Sequence, residues 1–302
     1  MKNEVPVVSA LMITYNHEPF IAQAIEGVLM QETNFKVELV IGEDCSTDGT
    51  RQICETYAAQ YPDQIRLLPS EKNLGMMPNF IRTLQACEGK YIALCEGDDY
   101  WTDPLKLQKQ VDFLEVNDRY VAVFHNSEYF DTINGVKRNY HDWYDNKDIS
   151  PEQMILGGGY IYPTASLLFR KPITENYPDF LLNAKAGDRA ISLFLITKGR
   201  FYYIAEKMSV YRFHQGGVSF SDTVSPDSHS KRVQSNMDLL KEFDLFSNGV
   251  YNGVVKNAKI SMILSLLASR PVNLFRDYKW LKTLPLRDAL YVLRKYSYCW
   301  SC

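Results

Sequence analysis

Glu96, Asp98 and Asp99 put three carboxylates within four residues, directly after the apolar run Tyr91-Ile92-Ala93-Leu94-Cys95. Carboxylates crowded in this way repel one another unless a positive charge neutralises them. A hard divalent cation does this well, because Mg2+ or Mn2+ takes oxygen ligands and completes its shell with substrate phosphates. An acidic surface turn is the plain alternative. Two more polar clusters also follow apolar runs: Thr14-Tyr15-Asn16 closes Val5–Thr14, and Glu43-Asp44-Cys45-Ser46-Thr47-Asp48 follows Val37–Ile41. A fourth acid, Asp188, stands between Gly187 and Arg189, just before the apolar stretch Ala190–Thr197.

The elements that must position these groups can be read from periodicity. Val5–Thr14 reads as a strand. Phe20, Ile21, Ala24, Ile25, Val28 and Leu29 then recur at helical spacing behind Pro19. Val37–Ile41 is a second strand, and Arg51–Tyr61 a helix capped by Ser46, Thr47 or Asp48. Ile65–Leu68 is a third strand, Asn73-Leu74-Gly75 a loop and Met77–Cys87 a helix leading to Tyr91–Cys95. Strand, loop and helix in alternation predict an α/β fold, a parallel sheet with helices on both faces. Ligands of such sheets bind beyond the carboxyl ends of the strands, where all three polar clusters fall. That convergence outweighs the surface-turn reading.

After Trp101 the rhythm changes. Pro104–Val116 predicts a helix and Val121–His125 a strand, and residues 131–150 read as a polar, aromatic-rich loop. Gly157-Gly158-Gly159 reads as a joint, Thr164–Arg170 as a strand and Ala190–Thr197 as a helix. Phe201–Ile204 and Met208–Phe213 read as two strands, and residues 215–230 as a mobile segment rich in Gly, Ser, Asp and Pro. From Lys231 the pattern is helical, with breaks near Asn248 and Pro271.

Composition narrows the function classes. A net charge of −3 gives no general electrostatic footprint for nucleic acid. The six cysteines show no paired zinc spacing, and Cys54, Cys87 and Cys95 sit in apolar patterns as small core side chains. We read a reducing, cytoplasmic setting. The opening Met1-Lys2-Asn3-Glu4 has no signal-peptide pattern, and Ile260–Ala268 is too short to span a bilayer.

Taken in order, Val8–Asn16, Glu43–Thr50, Lys72-Asn73-Leu74-Gly75 and Glu96-Gly97-Asp98-Asp99 resemble the family 2 glycosyltransferases of the GT-A fold. The resemblance covers about residues 5–215. It implies a mostly parallel, Rossmann-like sheet flanked by helices, with a C-terminal helical extension. The domain reading is a nucleotide-binding half over 1–103, an acceptor half over 104–230 and a helical extension over 231–302.

The implied activity is inverting transfer of a sugar from a nucleotide sugar, with Mg2+ or Mn2+, to a glycan or lipid-linked acceptor of bacterial surface polysaccharide. Tyr15 resembles the ring that lies against the nucleotide base; a core-edge Tyr is its plain alternative. Asp44 resembles the carboxylate that accepts the N3 hydrogen of uracil, which favours UDP. Thr14, Asn16, Glu43, Lys72, Asn73 and Gly75 go with them in the donor site. Glu96 stands where the family has Asp. Asp98 would hold ribose hydroxyls or metal, and Asp99 the metal.

Asp188 resembles the catalytic base, with a helix N-cap as its alternative, whereas for Asp48 capping is the favoured reading. Tyr211-Arg212-Phe213-His214 resembles the family's Tyr-Arg-x-His signature. Through it Arg212 and His214 would reach the diphosphate, and His214 also the metal, while residues 215–230 close over the donor. Trp101 and the aromatic segment 140–144 are acceptor-site candidates, with core packing as the equal alternative.

The C-terminal helices carry Lys and Arg beside Trp280, Leu281, Leu290, Tyr291 and Leu293. That pattern fits packing on the domain or a homodimer partner, or peripheral contact with the inner face of a membrane. A nucleotidyltransferase would need a Gly-rich, basic loop after the first strand, which Tyr15-Asn16-His17-Glu18 is not. A non-catalytic nucleotide-sugar-binding protein would not need the acidic cluster together with Asp188.

Overall fold

The computed structural model describes residues 5–158, 161–171, 177–185, 187–217, 219–220, 228–268 and 287–291. From Val8 the chain runs β1 (Val8–Thr14), α1 (Ile21–Leu29), β2 (Val37–Glu43), α2 (Thr50–Gln60), β3 (Ile65–Leu67), α3 (Met76–Ala86) and β4 (Tyr91–Leu94). β1 pairs in parallel with β2 on one side and β4 on the other, and β2 pairs in parallel with β3. These strands are apolar on both faces because both faces are covered. One face packs Leu11, Val40, Ile92 and Leu94 against Met77, Phe80, Ile81 and Leu84 of α3. The other packs Ala10, Met12, Leu39 and Ile41 against Ile21, Ala24, Ile25 and Val28 of α1. Each large aliphatic side chain so buried contributes about 1.5–3 kcal/mol.

The second half is β5 (Tyr100–Trp101), α4 (Lys106–Glu115), β6 (Tyr120–Asp131), β7 (Val136–Asn139), β8 (Lys147–Ile149) and α5 (Pro151–Gly157). It continues with β9 (Leu168–Arg170), α6 (Asp179–Leu182), α7 (Gly187–Ile196), β10 (Arg200–Phe213), α8 (Ser228–Phe246) and α9 (Asn252–Ala268). All strands join one sheet in the order β3-β2-β1-β4-β9-β6-β10-β5, with β7 added on β6 and β8 on β10. β9 is antiparallel to both neighbours, so the sheet is parallel in its first half and mixed in its second.

Three expectations change in detail. The two strands expected over 201–213 are one strand, β10, which absorbs the polar step Ala205-Glu206-Lys207 through register shifts against β6. The expected strand over 164–170 opens with a 3-10 turn, Thr164–Ser166, before β9. The stretch read as a loop over 131–150 contains β7 and β8, and α5 follows with a Ser150–Gln153 capping box.

The C-terminal helices pack on the body of the protein. Leu239, Leu240 and Phe243 of α8, with Val255 and Ala258 of α9, join the core that holds Phe180, Phe194 and Ile155. The break near Asn248 is a turn in which Asn248 and Gly249 have φ of 51° and 73°. Pro271, Trp280, Leu281 and Leu293 lie outside the described residues, as do residues 218 and 221–227 of the segment 215–230. Among the described residues no helix is long and apolar enough to cross a membrane.

Candidate active site

Parallel pairing sets the ends of β2, β1 and β4 side by side, and backbone bonds lace the loops that follow. Asp44 N–H donates to Thr14 O at 3.0 Å, and Gly97 N–H to Ile13 O at 3.1 Å. Asn16 has φ of 56°, and its side-chain carbonyl accepts from Thr47 N–H at 2.8 Å. It therefore ties the first loop to the second, and leaves the neighbouring Tyr15 ring exposed at 43%. Cys45 takes φ of 57°, a conformation that costs a non-glycine residue about 1–3 kcal/mol and tends to occur at functional sites.

Glu43 holds that turn. Its carboxylate is fully buried and accepts from Cys45 N–H (3.2 Å), Ser46 N–H (2.6 Å) and Arg51 (3.2 Å). Glu43 thus shapes the loop and offers no free edge to a donor, which corrects its place among the ligand-binding residues. Asp44, also buried, accepts from Leu74 N–H at 2.8 Å and Gly75 N–H at 2.9 Å, while Asn73 Nδ2 donates to Asp44 O at 3.0 Å. Gly75 at φ 84° is the turn that lets this loop fold over Asp44. Lys72 projects from its rim, exposed. Asp48 accepts from Thr50 N–H at 3.0 Å and Glu18 N–H at 3.1 Å just before α2, whose N-cap is Gly49 without a side-chain cap bond, so Asp48 braces the turn ahead of the helix and does not cap it.

The acidic turn between β4 and β5 divides its carboxylates. Asp99 turns inward: one oxygen accepts from Arg212 N–H at 2.8 Å and the other, buried, has no hydrogen-bond partner among the described residues. Asp98 stays partly open, with Oδ2 at 3.1 Å from His214 Nε2 and 3.7 Å from His17 Nε2. Glu96 is bonded to Thr164, and burial, Asp98 and Asp188 together push its carboxyl up to about 8. Asp188 lies in the first turn of α7, accepting from Arg189 N–H at 2.7 Å, and burial raises its carboxyl above the usual range. Its backbone carbonyl accepts from Tyr162 OH at 2.9 Å. Glu96 and Asp188 thus share one acidic environment: the Tyr162 hydroxyl feels both charges, and that of Tyr211 feels Asp99 and Glu96.

Two more expectations are corrected. Arg212 lies between the rings of Phe20 and Tyr100, donating to Asp98 O at 2.6 Å and to the Gln23 side chain. Its guanidinium, in a residue only 7% exposed, fixes the acidic turn and does not reach out to a diphosphate. Trp101 is buried in the core, with Nε1–H donating to Ala165 O at 2.8 Å and Lys106 Nζ 4.0 Å from its ring centre. It takes the packing alternative. In the aromatic segment, Trp143 lies flat on His141 at 4.1 Å with Lys147 on its ring, and Tyr144 is exposed. Sequence reasoning passed over Tyr162, Thr164 and Gln23, which sit in no motif and reach the site only through the fold.

The residues fit a divalent cation. Asp98 and His214 offer an oxygen and an imidazole nitrogen, and Asp99 keeps a buried oxygen without a partner among the described residues. Among the described residues no three His, Cys, Asp or Glu side chains are arranged to hold a metal unaided.

Residues 9–177, more than half of the chain, match the family model described as Glycosyl transferase family 2. An uncharacterized protein of Mycobacterium tuberculosis is 36% identical over 212 residues, 70% of this chain and 60% of its own length. The matched region thus spans less than two thirds of that relative. Among solved structures, Staphylococcus aureus TarS in complex with UDP superposes with a TM-score of 0.61 at 17% identity, over 94% of this chain and 80% of TarS. The mannosyltransferase PcManGT of Pyrobaculum calidifontis, in complex with GDP-Man and Mn2+, gives 0.58 at 17% identity, over 97% of this chain and 83% of that one. At that identity the likeness shows the GT-A fold.

Proposed function

Because the chain belongs to glycosyl transferase family 2, we propose that it moves a sugar from a UDP-sugar to a hydroxyl of a surface glycan or lipid-linked saccharide, with inversion and with Mg2+ or Mn2+. The acceptor would be met at the cytoplasmic face of a membrane. The reading is carried by one arrangement: Tyr15 and Asp44 at the ends of β1 and β2, Asp98 with His214 beside them, and Asp188 beyond with Glu96.

In this reading the base lies against the exposed Tyr15 ring, where stacking is worth about 1–3 kcal/mol per base. The Asp44 loop, with Lys72, Asn73 and Gly75 on its rim, presents the edge that selects the base. Asp98 and His214 would hold the cation. When bound, a divalent cation supplies Lewis-acid stabilisation of the departing nucleoside diphosphate. Asp188 takes the proton of the acceptor hydroxyl as it attacks the anomeric carbon from the side opposite the phosphate. Its raised pKa brings it nearer to working pH, which improves a general base. Tyr162 and Ser192 hold the backbone of Asp188 in place.

Titration calorimetry with UDP, with and without Mn2+, tests the donor site, and metal-dependent binding is the expected result. Asp188→Asn should keep UDP affinity and lower transfer by roughly 100-fold or more. Persistent transfer in that variant would remove Asp188 from the role of base, and a wild-type protein indifferent to UDP would sink the donor reading.

A further inference from the structure

The donor reading leaves a diphosphate beside Asp98 with few basic partners, since the Arg212 guanidinium is engaged by Asp98 O and Gln23. His17 stands at this spot. Its Nδ1 lies 3.2 Å from Thr14 Oγ1, and its Nε2 lies 3.7 Å from Asp98 Oδ2, beyond hydrogen-bond reach. The ring meets His214 edge-on at 6.2 Å between centroids, so two imidazoles flank one carboxylate. Its backbone is fixed as well: N–H donates to Thr50 Oγ1 at 2.8 Å, and O accepts from Phe20 and Ile21 N–H at the start of α1. The acidic turn is shaped to admit the ring. A Cβ on Gly97 would fall 2.5 Å from Thr14 Oγ1 and 2.9 Å from His17 Nδ1.

We propose that His17 binds the donor's diphosphate, giving a hydrogen bond from Nε2–H to a phosphate oxygen beside Asp98. The inference rests on the donor reading above. With the Thr14 hydroxyl donating to Nδ1, the ring proton sits on Nε2 and points towards Asp98. A rigid backbone, a ring held by Thr14 and an N–H with no hydrogen-bond partner among the described residues are the features of a preorganised ligand donor.

The test is calorimetry with UDP, uridine and inorganic pyrophosphate, each with MgCl2, on the wild type, His17→Ala, His17→Gln and Thr14→Val. His17→Ala should weaken UDP and pyrophosphate by roughly tenfold or more, the worth of a hydrogen bond to a charged group, and leave uridine within about twofold. His17→Gln, which keeps an N–H, should recover part of the loss. Thr14→Val, which leaves the imidazole but not its anchor, should weaken UDP several-fold. Equal weakening of UDP and uridine would overturn the assignment, because the defect would then lie in the loop. Unchanged UDP affinity in His17→Ala would overturn it too and leave the donor reading standing. Loss of nucleotide-free Mn2+ binding in His17→Ala would make His17 a metal ligand instead. A wild type that binds neither UDP nor pyrophosphate would overturn the assignment and the donor reading together.

Discussion

Glu96 shows at the residue scale what burial and two acidic neighbours do to one carboxyl. Burial, and after it Asp98 and Asp188, push its carboxyl up to about 8 from the ordinary 4.5. A raised carboxyl pKa means that the folded state holds a proton the unfolded state has released. The metal-free protein should therefore be most stable below about pH 4.5 with respect to this group, and lose that stability as pH rises to about 8. Glu96→Gln should flatten this part of the pH profile in thermal melts, and saturating Mn2+ should reduce the slope in the wild type. A profile unchanged by the substitution would contradict the assignment. The same scale shows what motifs convey. The sequence singles out Asp98 by residue type at the end of a strand and Asp188 by its place at the start of an apolar helix. Glu43 and Arg212 were misjudged because a motif fixes where a side chain sits along the chain, not the side of the backbone it leaves from. Arg212 points back at the Asp98 carbonyl, and Glu43 curls under the turn that follows it.

At the scale of elements, the acidic turn is held at both ends. β4 pairs with β1, and β5 pairs with β10 through Tyr100 and Trp101. α1 presses on β5 so closely that a Cβ on Gly27 would meet Trp101 N at 2.9 Å and Trp101 O at 3.1 Å. Backbone cannot yield as a side-chain tip can, so Gly27→Ala should cost about 1–3 kcal/mol by overpacking. It should also lower UDP affinity by displacing Asp98. Urea unfolding followed by calorimetry would check both, and an unchanged midpoint would show that the contact relaxes freely. The first-half elements were readable because each strand is an apolar run closed by polar residues. β7, β8 and the middle of β10 were not, because Val136–Asn139, Lys147–Ile149 and Ala205-Glu206-Lys207 have too little apolar content for periodicity to reveal them. Only pairing with β6 and β10 makes strands of them.

Across the whole molecule, the C-terminal helices complete the core. Leu240, Phe243 and Ala258 are buried on the same core as Phe180 and Phe194. Losing several such side chains, at about 1.5–3 kcal/mol each, would use up most of the 5–15 kcal/mol typical of a domain. A chain ending before Ser228 should therefore fail to give a cooperative thermal transition, or should aggregate. A sharp melt near that of the full chain would show instead that α8 and α9 are dispensable. Their helical pattern was legible, but which surface they cover was not, since that depends on where α5, α6 and α7 bring their apolar faces.

The pairing of β5 with β10 also bears on the order in which the protein is made. The turn Glu96–Asp99 leaves the ribosome about a hundred residues ahead of Arg212 and His214, which hold two of its carboxylates in place. A nascent chain that ends near Trp101 already carries Tyr15, Asp44 and the acidic turn, yet that turn is neither pinned nor neutralised. Such a distant pairing is slow to close. The proposed donor site is therefore assembled late, when β10 docks, and the first third of the chain is a half-site that waits for the remainder to be synthesised.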